Sequence, residues 1–373
     1  MSDSPAARSR IPFIDNLKVV LIIMVIAHHA GQAYGPTGGR WPFMYPEKAA
    51  ILGTFFYVNA SFFMGLFFLI SAYFLPQSYD RKGAARFLKE RLVRFGSVIL
   101  AFQFLVYPVF AWLFEGRRTS FSTFWVETIV IKREIEFAHL WFLAHLLAYA
   151  VLYVVWRALR GPLARNSQPR PFPSHTAIAA YARGLGVVSG IVRHWFPIDR
   201  WVFIGVPAEL AHLPQYASLF VLGLLAYRHR WLPDVPERTG RVWLTVGLSL
   251  AAFRYAYSLL GWRFLRRTPG GFDWPGLFWV TWEAFLCTGM CIGSLYAFRT
   301  WWNRRSRFSG WLSDNAYAVY VVHLPLVVVA QAWVSRTGWG PLTLTALSTL
   351  IGVISSYLVA AALRVLPGVR RVL

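Results

Sequence analysis

Charge is scarce in this chain, and acid is scarcer: 14% of its 373 residues are Asp, Glu, Lys or Arg, and 16 are acidic. A soluble domain carries about a quarter charged residues, so a water-covered globular protein is excluded. Cysteine is nearly missing. Cys287 and Cys291 stand four apart on one face of an apolar segment, where they are expected to pack as small hydrophobes. They supply no disulfide framework and leave the redox compartment unread. The opening MSDSPAARSRIP is polar and basic and lacks a short apolar core with a small-residue cleavage site. The first apolar run is therefore expected to stay in place as a helix. The longest segments between apolar runs, 115–139 and 159–175, are about 25 residues each, and no repeat at fixed spacing is evident, so no soluble domain is expected.

What the chain has in abundance is hydrophobic sequence: 57% of residues are hydrophobic and 17% aromatic, with a mean hydropathy of +0.45. Ten runs are long enough to be candidate spans, at about 16–35, 51–75, 95–114, 140–158, 175–194, 210–227, 242–260, 276–297, 311–335 and 342–363. The expected fold is all-α: a polytopic integral membrane protein of about ten transmembrane helices in one domain over 11–366, with short tails at 1–10 and 367–373. The fifth run is the weakest, since it contains Arg183 and three glycines. Between the third and fourth runs, 115–139 is expected to cap the outside face, with a short interfacial helix. The net charge of +22 does not point to nucleic acid, because the cations cluster between the apolar runs. With the N-terminus in the cytoplasm, 24 of the 38 Lys and Arg fall on the cytoplasmic side, as the positive-inside rule requires. The basic balance is then topology plus attraction to the lipid bilayer, and both termini are placed in the cytoplasm.

The most informative run is IDNLKVVLIIMVIAHHAGQAYG, residues 14–35. Ionisable groups deep in a span are costly and mark functional sites. At about 100° per residue, Lys18 and His29 share a face about 16 Å apart, whereas His28 points about 80° away. One helix thus carries a cation at its edge and a titratable base inside it. His28 is read either as a core histidine or as support for the site. Asp15 either pairs with Lys18 or caps the helix. A second constellation precedes the third run, where Arg91 and Arg94 stand three apart in RKGAARFLKERLVRFG. On a helix their guanidinium groups adjoin and form a clamp for phosphate; the alternative is an ordinary positive-inside stretch, the role assigned to Arg81, Lys82, Arg86 and Lys89. Glu283 is an intramembrane acid expected to pair with Arg254 or Arg183, as a structural ion pair or as part of a substrate channel. His139, Trp141 and His323 either line an acceptor site or pack as polar groups between helices. Tyr34 and Trp41 either stack on sugar rings or anchor at the interface. No metal site is read.

Together these residues resemble the acyltransferase 3 family of integral membrane enzymes. Lys18 and His29 match its basic residue followed after ten residues by His, and Arg91 and Arg94 match its Arg-x-x-Arg pair at the third helix. FFMGLFFLISAYFLPQSYDRKG, HLWFLAHLL, LPQYASLFVLGLLAYRHRWL and WLSDNAYAVYVVHLPLV follow in the family's order, and the last pieces look closest to the branch of periplasmic-glucan succinyltransferases. Two departures are Ala72 in place of a glycine and Lys18 where arginine is commoner, which keeps charge but loses the two-pronged fork. The resemblance implies an acyltransferase of the bacterial cytoplasmic (inner) membrane. It would move an acetyl or succinyl group from cytoplasmic acyl-CoA, the donor substrate, to a hydroxyl of an extracytoplasmic glycan or other carbohydrate, without a tightly bound cofactor. Acyl transfer to a hydroxyl needs a base, and histidine suits neutral pH; His29 is assigned that role, and Arg91, Arg94 and Lys18 the donor phosphates. The competing reading is a proton-coupled transporter or flippase. Against it, matching halves with Gly/Pro-interrupted helices are not evident.

Overall fold

The computed structural model describes residues 10–36, 41–114, 119–162, 169–262, 265 and 272–373. Eleven helices carry most of that chain: α1 (Pro12–Gln32), α2 (Ile51–Lys82), α3 (Ala84–Phe114), α4 (Phe121–Ile131), α5 (Ala138–Arg160), α6 (His175–Trp195), α7 (Leu210–His229), α8 (Glu237–Leu259), α9 (Trp274–Trp301), α10 (Arg307–Thr337) and α11 (Pro341–Leu363), followed by a single turn at Pro367–Arg370. Among them, eight are long and apolar enough to cross a bilayer, all except α4, α6 and α8. The chain is thus an all-α, multi-pass membrane protein. α6 and α8 have the length, 21 and 23 residues, but too polar a composition. Both lie against α9, so their polar residues face protein as well as surroundings. The expected short helix after the third span is α4; residues 115–118 of that segment lie outside the described residues.

Two irregularities in long helices follow from local chemistry. α2 breaks at Ser61–Phe62, and the side-chain amide of Gln215 donates to the freed Ser61 carbonyl at 2.7 Å. A released backbone group inside a membrane must find such a partner. In α10, Pro325 has no N–H to offer the carbonyl four residues back, that of Val321. The partner found there is a histidine of the cluster described below. Close helix approach is made by small residues, as expected where lipid removes the hydrophobic drive. Gly289 and Gly293 of α9 lie against α8: a Cβ would stand 2.7 Å from Gly247 N at the first and 2.6 Å from Leu244 Cα at the second.

The described regular structure includes one antiparallel hairpin, β1 (Trp201–Phe203) with β2 (Pro207–Glu209), in register Trp201↔Glu209 and Phe203↔Pro207. It covers the ends of α5 and α7, and its Pro207 carbonyl accepts from His145 at 2.8 Å. α1 is the central helix. It packs on α9, α10 and α11 and meets the start of α2, burying Ile14, Leu17, Leu21, Val25 and Ile26. Contacts between termini define two ends of the bundle. At the near end Arg10 and Arg305 pair with Asp314, Asn16 reaches Trp302 and Arg304, and Arg157 pairs with Asp80. At the far end the hydroxyl of Tyr34 donates to Gln331 O at 3.0 Å.

Candidate active site

The residues singled out in the sequence gather in three places. At the near end, Lys18 pairs with Asp15 at 3.4 Å and its amine lies 4.9 Å from the ring of Phe74. Asp15 is therefore an ion-pair partner; the residue that caps α1 is Ile11, with no side-chain bond. Arg94 is close enough to both Lys18 and Arg91 for their charges to interact. Aromatic rings support these cations: the Arg94 guanidinium lies 4.2 Å from Tyr317, whose hydroxyl donates to Arg94 O at 2.8 Å, and Arg91 sits 5.1 Å from Phe87 and 5.4 Å from Phe95. The chain around Arg94 is not the regular α-helix expected from spacing. Residues Leu92–Gly96 form a π turn inside α3, a local widening often found at functional sites. The neighbouring Glu90 is already engaged by Lys82 and Arg86. Three cations thus converge, with one carboxylate among them.

About 16 Å along α1 from Lys18, His29 meets two histidines from distant parts of the chain. Its ring centroid is 5.3 Å from that of His323 on α10, which is 4.7 Å from that of His139 at the start of α5. Trp41, from the loop after α1, stacks on His29 at 5.5 Å with ring planes 12° apart. His28 faces elsewhere, among Phe56, Phe63 and Phe55 at 5.0, 5.4 and 6.5 Å. Backbone bonds fix the two supporting rings. His139 Nε2 donates to Val321 O at 3.0 Å, taking the carbonyl that Pro325 releases, and His323 Nδ1 donates to Tyr320 O at 2.6 Å. The hydroxyl of Tyr320 in turn donates to His139 O.

Gln331 completes this end and was not picked out from sequence. Fully buried on α10, its amide donates to the carbonyls of His29 and Ala30 at 2.9 Å each, and its Oε1 accepts from Trp41 Nε1 at 2.9 Å. It locks the last turn of α1 and the stacked indole to one helix. A polar side chain inside an apolar run was the available signal. Tyr34, expected at a sugar or an interface, is fully buried and bonded to Gln331 O and Ser348.

The third group lies apart from the histidines. Glu283 of α9 takes two bonds from Arg193 of α6, at 2.7 and 2.8 Å, and His212 Nε2 stands 3.5 Å away. The expected partners are thus corrected. Arg254 lies over Trp279, Tyr57 and Tyr257 at 4.9, 5.5 and 5.7 Å, and Arg183 is exposed, about 15 Å from Arg193 along α6. The network continues to the hairpin, where His212 Nδ1 lies 2.8 Å from Glu209, whose other oxygen accepts from Asp199 N at 2.6 Å. Burial raises the Glu209 carboxyl, but His212 beside it outweighs that and holds it below its usual range. The cavity beside the ion pair, lined by Leu185, Ser189, Gln215 and Val280 among others, has a volume of about 10 Å³. That admits about one water, which suits the structural ion-pair reading of Glu283. Trp141 belongs to this side too: it stacks on Tyr216 at 5.5 Å and meets His145 and Trp201. Cys287 is buried and accepts from Gln215 at 3.0 Å.

A bundle of apolar helices holds histidines that meet in its interior, with a patch of cations at one end of the helix that carries one of them, in a multi-pass membrane protein. The chain belongs to the acyltransferase 3 family: the family model, described as an acyltransferase domain, matches residues 11–365, nearly the whole sequence. It is accordingly a membrane acyltransferase. No curated protein and no solved structure matches it significantly.

Proposed function

We propose that this enzyme transfers an acetyl or succinyl group from cytoplasmic acyl-CoA to a hydroxyl of an extracytoplasmic carbohydrate, with His29 as general base. The observation that carries the reading is the arrangement along α1: Lys18, near Arg94 and Arg91, at one end, and His29 among His323, His139 and Trp41 further along. Guanidinium groups suit the phosphates of the coenzyme, and about 16 Å of helix separates them from the base. An extended thioester arm is the kind of group that bridges such a gap. At its tip, the acceptor hydroxyl gives its proton to His29, its oxygen forms a bond to the thioester carbonyl carbon, the carbon–sulfur bond breaks, and the departing thiolate takes the proton. The positive-inside rule supports the Lys18 end as the cytoplasmic one, in keeping with our reading of a bacterial inner-membrane protein with both termini in the cytoplasm.

The test is donor consumption by the purified full chain in nanodiscs, with acetyl-CoA and succinyl-CoA in turn, alongside mass spectrometry of envelope glycans from cells with and without the gene. Thiol release together with a missing mass increment in the deletion strain is the expected result. Solute movement without donor consumption would favour a carrier. The clamp makes its own prediction. Replacing both arginines, R91K with R94K, keeps the charge and removes the forks, so KM for the donor should rise about tenfold with little change in kcat, a loss of about 1.4 kcal/mol in binding. An unchanged KM would leave the pair as topological charge.

A further inference from the structure

We infer that His323 is the positioning residue for His29: its Nε2 accepts the N–H of His29, directs the other nitrogen toward the acceptor hydroxyl and shares the charge that forms there, with His139 as a second acceptor behind it. This rests on the reading of His29 as base. The argument begins with which nitrogens hold hydrogen. A carbonyl oxygen only accepts, so His323 Nδ1 and His139 Nε2, each bonded to one, must carry their ring hydrogens. The opposite nitrogens, His323 Nε2 and His139 Nδ1, are then bare acceptors. Both are buried without a partner, as is His29 Nδ1.

Buried acceptors left unsatisfied are costly, and here they lie beside a ring with a hydrogen to offer. The rings are neighbours, with centroids 5.3 and 4.7 Å apart, so a small turn of the His29 ring brings its N–H to a bond of about 3 Å on His323 Nε2. Neither supporting ring can easily turn away: one is tied to the carbonyl freed by Pro325, the other to its own helix. The salt bridges among the described residues include none to these rings, so no carboxylate takes the orienting part that it plays beside other catalytic histidines. In the reaction the hydroxyl proton passes to the free nitrogen of His29 as the new carbon–oxygen bond forms. The imidazolium keeps its other N–H on His323, and the thiolate recovers the proton when the carbon–sulfur bond breaks, which returns all three rings to neutrality.

His323→Asn separates this role from packing. Asparagine retains an N–H to donate to Tyr320 O, while its acceptor oxygen, on the same short amide, does not reach the position of the imidazole Nε2. With the full chain in nanodiscs and acetyl-CoA as donor, H323N should lower kcat about tenfold, leave KM for acetyl-CoA unchanged and keep the unfolding temperature of the wild type. H139Q, which keeps the N–H to Val321 O and drops Nδ1, should lower kcat several-fold and serves where H323N does not fold. Turnover within twofold of wild type in H323N, with H29A inactive beside it, overturns the positioning role alone. Wild-type turnover in H29A overturns the base assignment and this inference with it.

Discussion

Replacing His29 with alanine is expected to lower acyl transfer by about 10²–10⁴-fold, the usual contribution of a positioned general base, while expression and unfolding temperature stay close to wild type. The separation is expected because the bonds that anchor this turn of α1 belong to its backbone. Gln331 donates to the carbonyls of His29 and Ala30, and an alanine presents the same oxygens. What the substitution removes is the imidazole between Trp41 and His323. Alanine is also the best helix former. His28→Ala is the internal comparison. That ring sits among three phenylalanines, so its loss should reduce stability by packing and leave turnover per folded molecule near wild type. Measuring donor turnover and unfolding of both variants in one membrane preparation decides the matter. Normal transfer by H29A with intact expression would remove His29 from the chemistry.

How much of this could be read from the chain divides along a physical line. Long apolar runs reveal helices directly, because twenty such residues have few alternatives in lipid, and the all-α membrane fold was legible for that reason. Position along one helix was legible too: the 3.6-residue period places Lys18 and His29 on a common face and turns His28 away. What periodicity does not carry is the identity of the helix opposite. His29, His139 and His323 could each be named, but their convergence depends on packing between segments about 110 to 290 residues apart in sequence, and lipid-facing and protein-facing sides of such helices are similarly apolar. Pro325 held a partial clue, since a proline inside a span frees the carbonyl of Val321 and something must bond to it. The same limit explains Glu283. Burial demanded a cation, and the sequence offered Arg254 and Arg183, but Arg193, on α6, the run least like a span, supplied it. The hairpin and the π turn at Arg94 depend on local backbone choices that hydropathy does not encode.

The second large effect concerns that buried pair. Arg193→Met alone should destabilise the protein by about 3–5 kcal/mol, because it leaves the Glu283 carboxylate buried without its bidentate partner. His212, 3.5 Å from Glu283, is already committed to Glu209 at 2.8 Å and offers poor compensation. Glu283→Met should cost a similar amount by stranding the guanidinium, whose remaining bond is to Ala211 O at 3.3 Å. The double variant, Arg193→Met with Glu283→Met, should recover most of the loss, since replacing a whole buried ion pair with apolar side chains is often neutral or better. Unfolding of all three in the same detergent closes a double-mutant cycle. A single variant that costs less than about 1 kcal/mol would show the pair to be dispensable. Donor turnover supplies the second reading: with no room beside Glu283 for more than about one water, the double variant should keep its kcat. The pair then serves to fasten α6, the start of α7 and the hairpin onto α9.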